Sequence, residues 1–217
     1  MTFDLSAFDG GFLPWIGADY AAGLGGVRTL VLGESHYLVP ASGDWKTHRD
    51  PAFTRTRIAR EVAEGGRLTY FERLTALVSP DGRPDAALWH RLAFFNVVER
   101  FVGDAPRQRP DRLHWADAEA SLLVRMGALR PGLVLVTGFD LWKHVRTALA
   151  GRAEETGKRQ RRLARLGDLA PGGGDAPCAF VGIMHPSAYG FKLAEWRPVV
   201  QPYLNAAPSP DAGSQPS

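Results

Sequence analysis

Four short apolar runs punctuate this chain: VRTLVLG (27–33), LAFFNVV (92–98), GLVLVTG (132–138) and CAFVGIM (178–184). In each run the apolar residues are successive rather than alternate, so both faces of the segment must be buried. Central strands of a parallel sheet meet that condition, because helices cover both of their faces. Between the runs lie stretches with helical spacing, at 52–66, 69–78, 115–129 and 139–149, and a further one follows at 191–204. In 115–129, Leu122, Leu123, Met126 and Leu129 recur along one face, and Asp117 and Glu119 sit near the start, where the helix dipole favours acids. Pro198 and Pro202 limit the regularity of the last stretch. Strands alternating with helices predict a parallel sheet with its site at the carboxyl ends of the strands. The expected fold is therefore a single-domain α/β/α sandwich around a central four-stranded, mainly parallel sheet. It spans 1–206, ahead of a Pro- and Ser-rich tail at 207–217 expected to lack fixed structure.

Polar residues collect where these runs end. The first run passes directly into Glu34, Ser35, His36 and Tyr37. Gly33 is expected to let the backbone turn as it leaves the strand. A carboxylate at such a place serves as general base or electrostatic stabiliser, or else Glu34 and Ser35 merely cap the next helix. Asn96 interrupts the second run between Phe95 and Val97. A buried amide without a partner costs about 1–3 kcal/mol. Asn96 must therefore bond neighbouring backbone or the two-atom edge of a bound base. After the fourth run come His185, Pro186 and Ser187. Pro186 fixes the turn, and Ser187 is placed to cap a helix or to bind a phosphate.

Composition narrows the class. With 217 residues, 45% apolar and 23% charged, the chain has the make-up of an ordinary globular domain. A formal charge of +3 is compatible with an anionic partner. One cysteine, Cys178, excludes an intramolecular disulfide and any four-cysteine metal site. The first fifteen residues carry neither a basic segment nor an apolar one, and no membrane-length apolar stretch follows. A cytoplasmic protein without a membrane partner is expected, and neither a metal nor a cofactor.

Taken in order, LGESHY, FFNVV and MHPSAYG resemble the motifs of the uracil-DNA glycosylase superfamily, and RPGLVLVTGFDLW is similar to its third-strand segment. The likeness covers roughly residues 25–205. In that superfamily a first strand runs into a Gly-(Gln/Glu)-x-Pro-type loop, a second ends on a uracil-binding Asn, and the last runs into His-Pro-Ser. The chain departs from it in three ways. His36 stands where the first loop usually has Pro, and Ser35 stands where the best-known branch has its acid. The four cysteines that hold an iron–sulfur cluster in the thermostable-type branch are missing, so the chain looks like an atypical, cluster-free member.

The resemblance implies a monofunctional DNA glycosylase that acts as a monomer on uracil-containing DNA, associating with the nucleoid. Glu34 would stabilise a cationic sugar and position water, with His36 sharing that work, and His185 would hydrogen-bond the departing base. Asn96 would read the pyrimidine edge and Tyr37 would exclude the thymine methyl. Phe53, or else Trp45, would stack on the flipped base. Ser187, Tyr189 and Lys192 would contact or wedge the DNA, with Phe191 in the same loop. The basic run 157–165, Arg161 included, either tracks phosphates or forms a solvated helix face. Two other readings stay open: a non-catalytic base- or nucleotide-binding module, and a hydrolase or glycosylase for a different base or free nucleoside.

Overall fold

The apolar runs form the middle of one sheet. A computed structural model describes residues 2–38, 46, 50–63, 68–105, 107–150, 153–155, 162–166 and 178–204. Its strands are β1 (Trp15–Ile16), β2 (Thr29–Gly33), β3 (Leu92–Asn96), β4 (Leu133–Thr137), β5 (Ala153–Glu155), β6 (Arg162–Leu166) and β7 (Cys178–Ile183). They lie in the order β1-β3-β2-β4-β7-β6-β5. The four expected strands, β3-β2-β4-β7, are mutually parallel, and β1 and β6 pair antiparallel at the two sides of this block. The sheet is therefore wider than expected, seven strands rather than four. The additions are a two-residue strand and an antiparallel pair, which carry no continuous apolar run to announce them.

The helices are α1 (Phe53–Ala63), α2 (Thr69–Val78), α3 (Arg112–Leu129), α4 (Phe139–Leu149) and α5 (Leu193–Leu204). Two apolar cores lie on opposite faces of the sheet. Leu30, Leu32, Phe95, Val134, Val136 and Phe180 pack with α3 and α4. Val31, Phe94, Leu133, Leu135, Val181 and Ile183 pack with α1, α2 and α5. That alternation along each strand, with both sets buried, is why the runs read as continuously apolar. Residues 162–165 of the basic run form no helix face: they belong to β6, antiparallel to β7, and 157–161 lie outside the described residues. Arg161 and Trp45 lie outside the described residues.

Local sequence sets the helix ends. α3 begins three residues earlier than its apolar spacing suggests, because Asp111 caps it: the Asp111 carboxylate accepts from the His114 N–H at 2.9 Å, and His114 Nδ1 accepts from the Asp111 N–H at 3.4 Å. α5 runs through Pro198 and Pro202, held by the buried Trp196, Val200 and Leu204. Its Arg197 and Gln201 donate to the carbonyls of Ala76, Leu77 and Ser79, satisfying the last turn of α2 with side chains.

Candidate active site

Strand order locates the site before any side chain is considered. The chain passes from β2 to its neighbour β3, then returns across β2 to place β4 on the other side. A doubly wound sheet opens a crevice at such a reversal, outside the carboxyl ends of the strands. Here it lies between the ends of β2 and β4. Glu34 leaves β2 there, and Gly138 leaves β4 for α4 with φ +125°, a conformation that favours glycine. Gly138 also donates its N–H to the Ile183 carbonyl at 2.9 Å, tying the β4 and β7 exits together.

Gly33 and Asn96 are register partners on adjacent strands. Gly33 has no left-handed φ and makes no turn of its own; it ends β2 in extended conformation. Its lack of a side chain serves Asn96, because a Cβ there would collide with Asn96 Oδ1. Asn96 is 6% exposed, and its amide makes no hydrogen bond to any described residue while staying open to solvent. An amide held at a strand end without a protein partner is free to bond a ligand.

Glu34 is nearly buried, its side chain 17% exposed, and Oε2 accepts from Arg109 Nη1 at 2.6 Å. Arg109 Nη2 lies 3.8 Å from Asp140 Oδ2 in the first turn of α4, and Asp140 also holds Lys143 at 2.7 Å. The guanidinium thus spans the crevice between the β2 and β4 exits. Glu34, in turn, raises the Arg109 pKa through their hydrogen bond and charge.

His185 reaches the same rim from β7. The Ser187 N–H lies 3.3 Å from His185 Nδ1 and the Ser187 hydroxyl 3.0 Å from it. An N–H can only donate, so Nδ1 is the acceptor and the neutral ring carries its proton on Nε2. Burial of part of the ring, then the Arg109 charge, lowers the His185 pKa and favours that neutral form. Tyr70 of α2, which sequence reasoning missed, lies with its ring 5.1 Å from that of His185. Its hydroxyl is 3.1 Å from Thr137 Oγ1, which itself donates to the Leu32 carbonyl at 2.8 Å, so the phenol is the donor.

The remaining candidates scatter. His36 does not join Glu34: its Nε2 lies 2.9 Å from Thr54 Oγ1, and its ring packs against Phe12, Phe53 and Phe101. Burial, then the Arg57 charge, pushes its pKa down to about 3, so at neutral pH it is an uncharged member of an apolar cluster. That moves His36 from the catalytic set to the loop's supports. Phe53 sits in the same cluster, edge-on to Phe101 at 4.7 Å. Tyr37 is 42% exposed and Tyr189 fully so, at the tip of the loop after His185. The Lys192 ammonium pairs with Glu195 at 3.0 Å.

A cavity of about 110 Å³ whose lining does not include Glu34 lies beside Glu99, lined also by Asp9, His114, Asp117 and Arg125. Among the described residues no group of His, Cys, Asp or Glu is arranged to hold a metal ion, and no helix is long and apolar enough to cross a membrane. Neither Tyr70 nor Arg109 carries a motif signal in the sequence. Arg109 lies 75 positions from Glu34, and only the fold brings the two together. No family model matches this sequence, and no curated protein matches it either.

Proposed function

We propose that this protein is a DNA glycosylase that turns uracil out of the helix and hydrolyses its N-glycosidic bond, leaving an abasic site. The observation that carries this reading is that three groups leave the carboxyl ends of parallel strands in one sheet: a carboxylate at the end of β2, an amide without a protein partner at the end of β3, and a neutral Nε2–H imidazole beyond β7. The fully exposed Tyr189 follows four residues after that imidazole, where a duplex-invading side chain is needed.

In this reaction water attacks C1′ of the deoxyribose as the N1–C1′ bond breaks. The bonding pair leaves with the base, and a proton passes from water to Glu34. Glu34 supports the developing positive charge on the sugar. His185 donates from Nε2 to uracil O2, a bond that strengthens as negative charge builds there. Asn96 pairs with the O4/N3 edge and leaves cytosine with a mismatched donor. His36 keeps the loop that carries Glu34 in place and takes no proton.

A second reading, a base-binding module without catalysis, is favoured by one observation, the neutralisation of Glu34 by Arg109. End-labelled duplexes with one uracil, or thymine at the same place, followed by alkaline cleavage, separate the two. Strand breaks at uracil alone support the glycosylase. Retained DNA binding without breaks at either base supports the module.

A further inference from the structure

Among the described residues Arg109 is the one cation that touches the proposed catalytic carboxylate, and the backbone around it is constrained. Pro110 follows at once and is buried, fixing its own φ and restricting Arg109 to extended backbone. Asp111 then caps α3 through its reciprocal bonds with His114. The Arg109 backbone is therefore fixed within two residues of a capped helix start, and its guanidinium also rests by Asp140 at 3.8 Å. Exposed ion pairs usually contribute little to stability. Arg109, 63% exposed, makes a poor structural strut but a well-placed guide.

Resting on the glycosylase reading, we infer that Arg109 is a positioning residue for the hydrolytic step, engaging Oε2 of Glu34 so that Oε1 alone is presented to water and sugar. Oε1 makes no hydrogen bond to any described residue, while Oε2 is held at 2.6 Å. A hydrogen bond to Oε2 biases which oxygen faces the crevice, and orientation of this kind is worth large factors in rate because a small misplacement of the reacting group is costly. After burial, the larger cause, the same charge also favours the neutral, donating form of His185. One guanidinium thus acts on two groups that leave different strands.

The test uses the full chain on a uracil-containing duplex, in single-turnover rates with enzyme in excess and in separate affinity measurements. Glu34→Gln, Arg109→Gln, Arg109→Lys and the Glu34→Gln/Arg109→Gln double variant are compared with the unsubstituted protein. Arg109→Gln is expected to slow base release by about 10- to 100-fold, the scale on which misplacing a reacting group costs rate, with affinity and melting temperature unchanged. Arg109→Lys recovers most of the rate, since it restores a cationic donor at the same place. In the Glu34→Gln background the Arg109 substitution costs nothing further, an interdependence that a merely structural role would not produce.

Full activity of Arg109→Gln beside an impaired Glu34→Gln overturns this inference and leaves the glycosylase reading standing. Unchanged rate with weakened affinity and a shallower salt dependence does the same, by making Arg109 a phosphate contact. Additive losses in the double variant also overturn it. An unsubstituted protein that releases no uracil overturns the reading and this inference together.

Discussion

Gly33 and Asn96 form a matched pair, the one empty so that the other has room. Replacing Gly33 by Ala forces either the Asn96 side chain or the β2–β3 register to shift. Overpacking of this kind costs about 1–3 kcal/mol. The expected outcome for Gly33→Ala is that loss in denaturant titration, together with loss of base release, since the displaced amide no longer meets the pyrimidine edge. A variant as stable and active as the original would show that Asn96 has slack. The strand-end placement of Glu34, Asn96 and His185 was legible in the sequence, because Asn96 interrupts an apolar run and the other two follow the end of one. Arg109 and Tyr70 were not, since each sits in a stretch where its own kind is unremarkable and reaches its partner only through the fold. Two positions beyond Glu34 the backbone of His36 bridges to Phe101 and its ring enters the Phe12–Phe53–Phe101 cluster, a placement set by residues distant in sequence that the spacing of Glu34 and His36 does not reveal.

Among the elements, the loop after β7 depends on α2. Arg73 Nη1 donates to the Pro186 carbonyl at 2.9 Å and to the Ala188 carbonyl at 3.0 Å, and its guanidinium lies 5.9 Å from the centre of the Phe191 ring. A helix thus holds, by one side chain, the segment bearing His185, Ser187 and Tyr189. Arg73→Met keeps an apolar stem beside Phe191 and deletes both donors. It is expected to cost about 1–3 kcal/mol, the usual price of leaving such acceptors unmet. Faster amide exchange should accompany it at Ala188 and Phe191, whose N–H groups close turns within that loop, but not in β7. Unchanged exchange there would show that Pro186 alone fixes the loop. α2 and α4 were readable to the residue, because apolar spacing, an acid in the first turn and a neighbouring strand agree. β5 and β6 were not: RLARL mixes Arg and Leu over five residues, too short for a period to separate strand from helix.

Across the whole molecule, two titratable groups, the half-buried His36 and the buried Glu99, pull stability in opposite directions with pH. The unfolded chain protonates His36 near its ordinary value of 6.5, while the native protein resists until about 3. Over that interval the unfolded state binds the extra proton, so stability rises with pH. Glu99 works the other way. Its side chain is 5% exposed, and burial outweighs the Arg125 ion pair, 2.5 Å away, to push the carboxyl up to about 8. The unfolded chain loses that proton near 4.5, so between 4.5 and 8 the native state binds more protons and stability falls as pH rises. Each effect reaches at most about 1.4 kcal/mol per pH unit. From 4.5 to 6.5 they oppose one another. The melting temperature is therefore expected to climb from pH 3 to about 4.5, stay level to about 6.5, and fall towards pH 8. Glu99→Gln should abolish the alkaline fall and keep the acid limb, because an amide has no proton to lose on unfolding. His36→Gln should abolish most of the acid limb and leave the alkaline one. A Glu99→Gln protein that still loses stability between pH 6.5 and 8 would show that the carboxyl is ionised in the fold and that Arg125 compensates its burial after all.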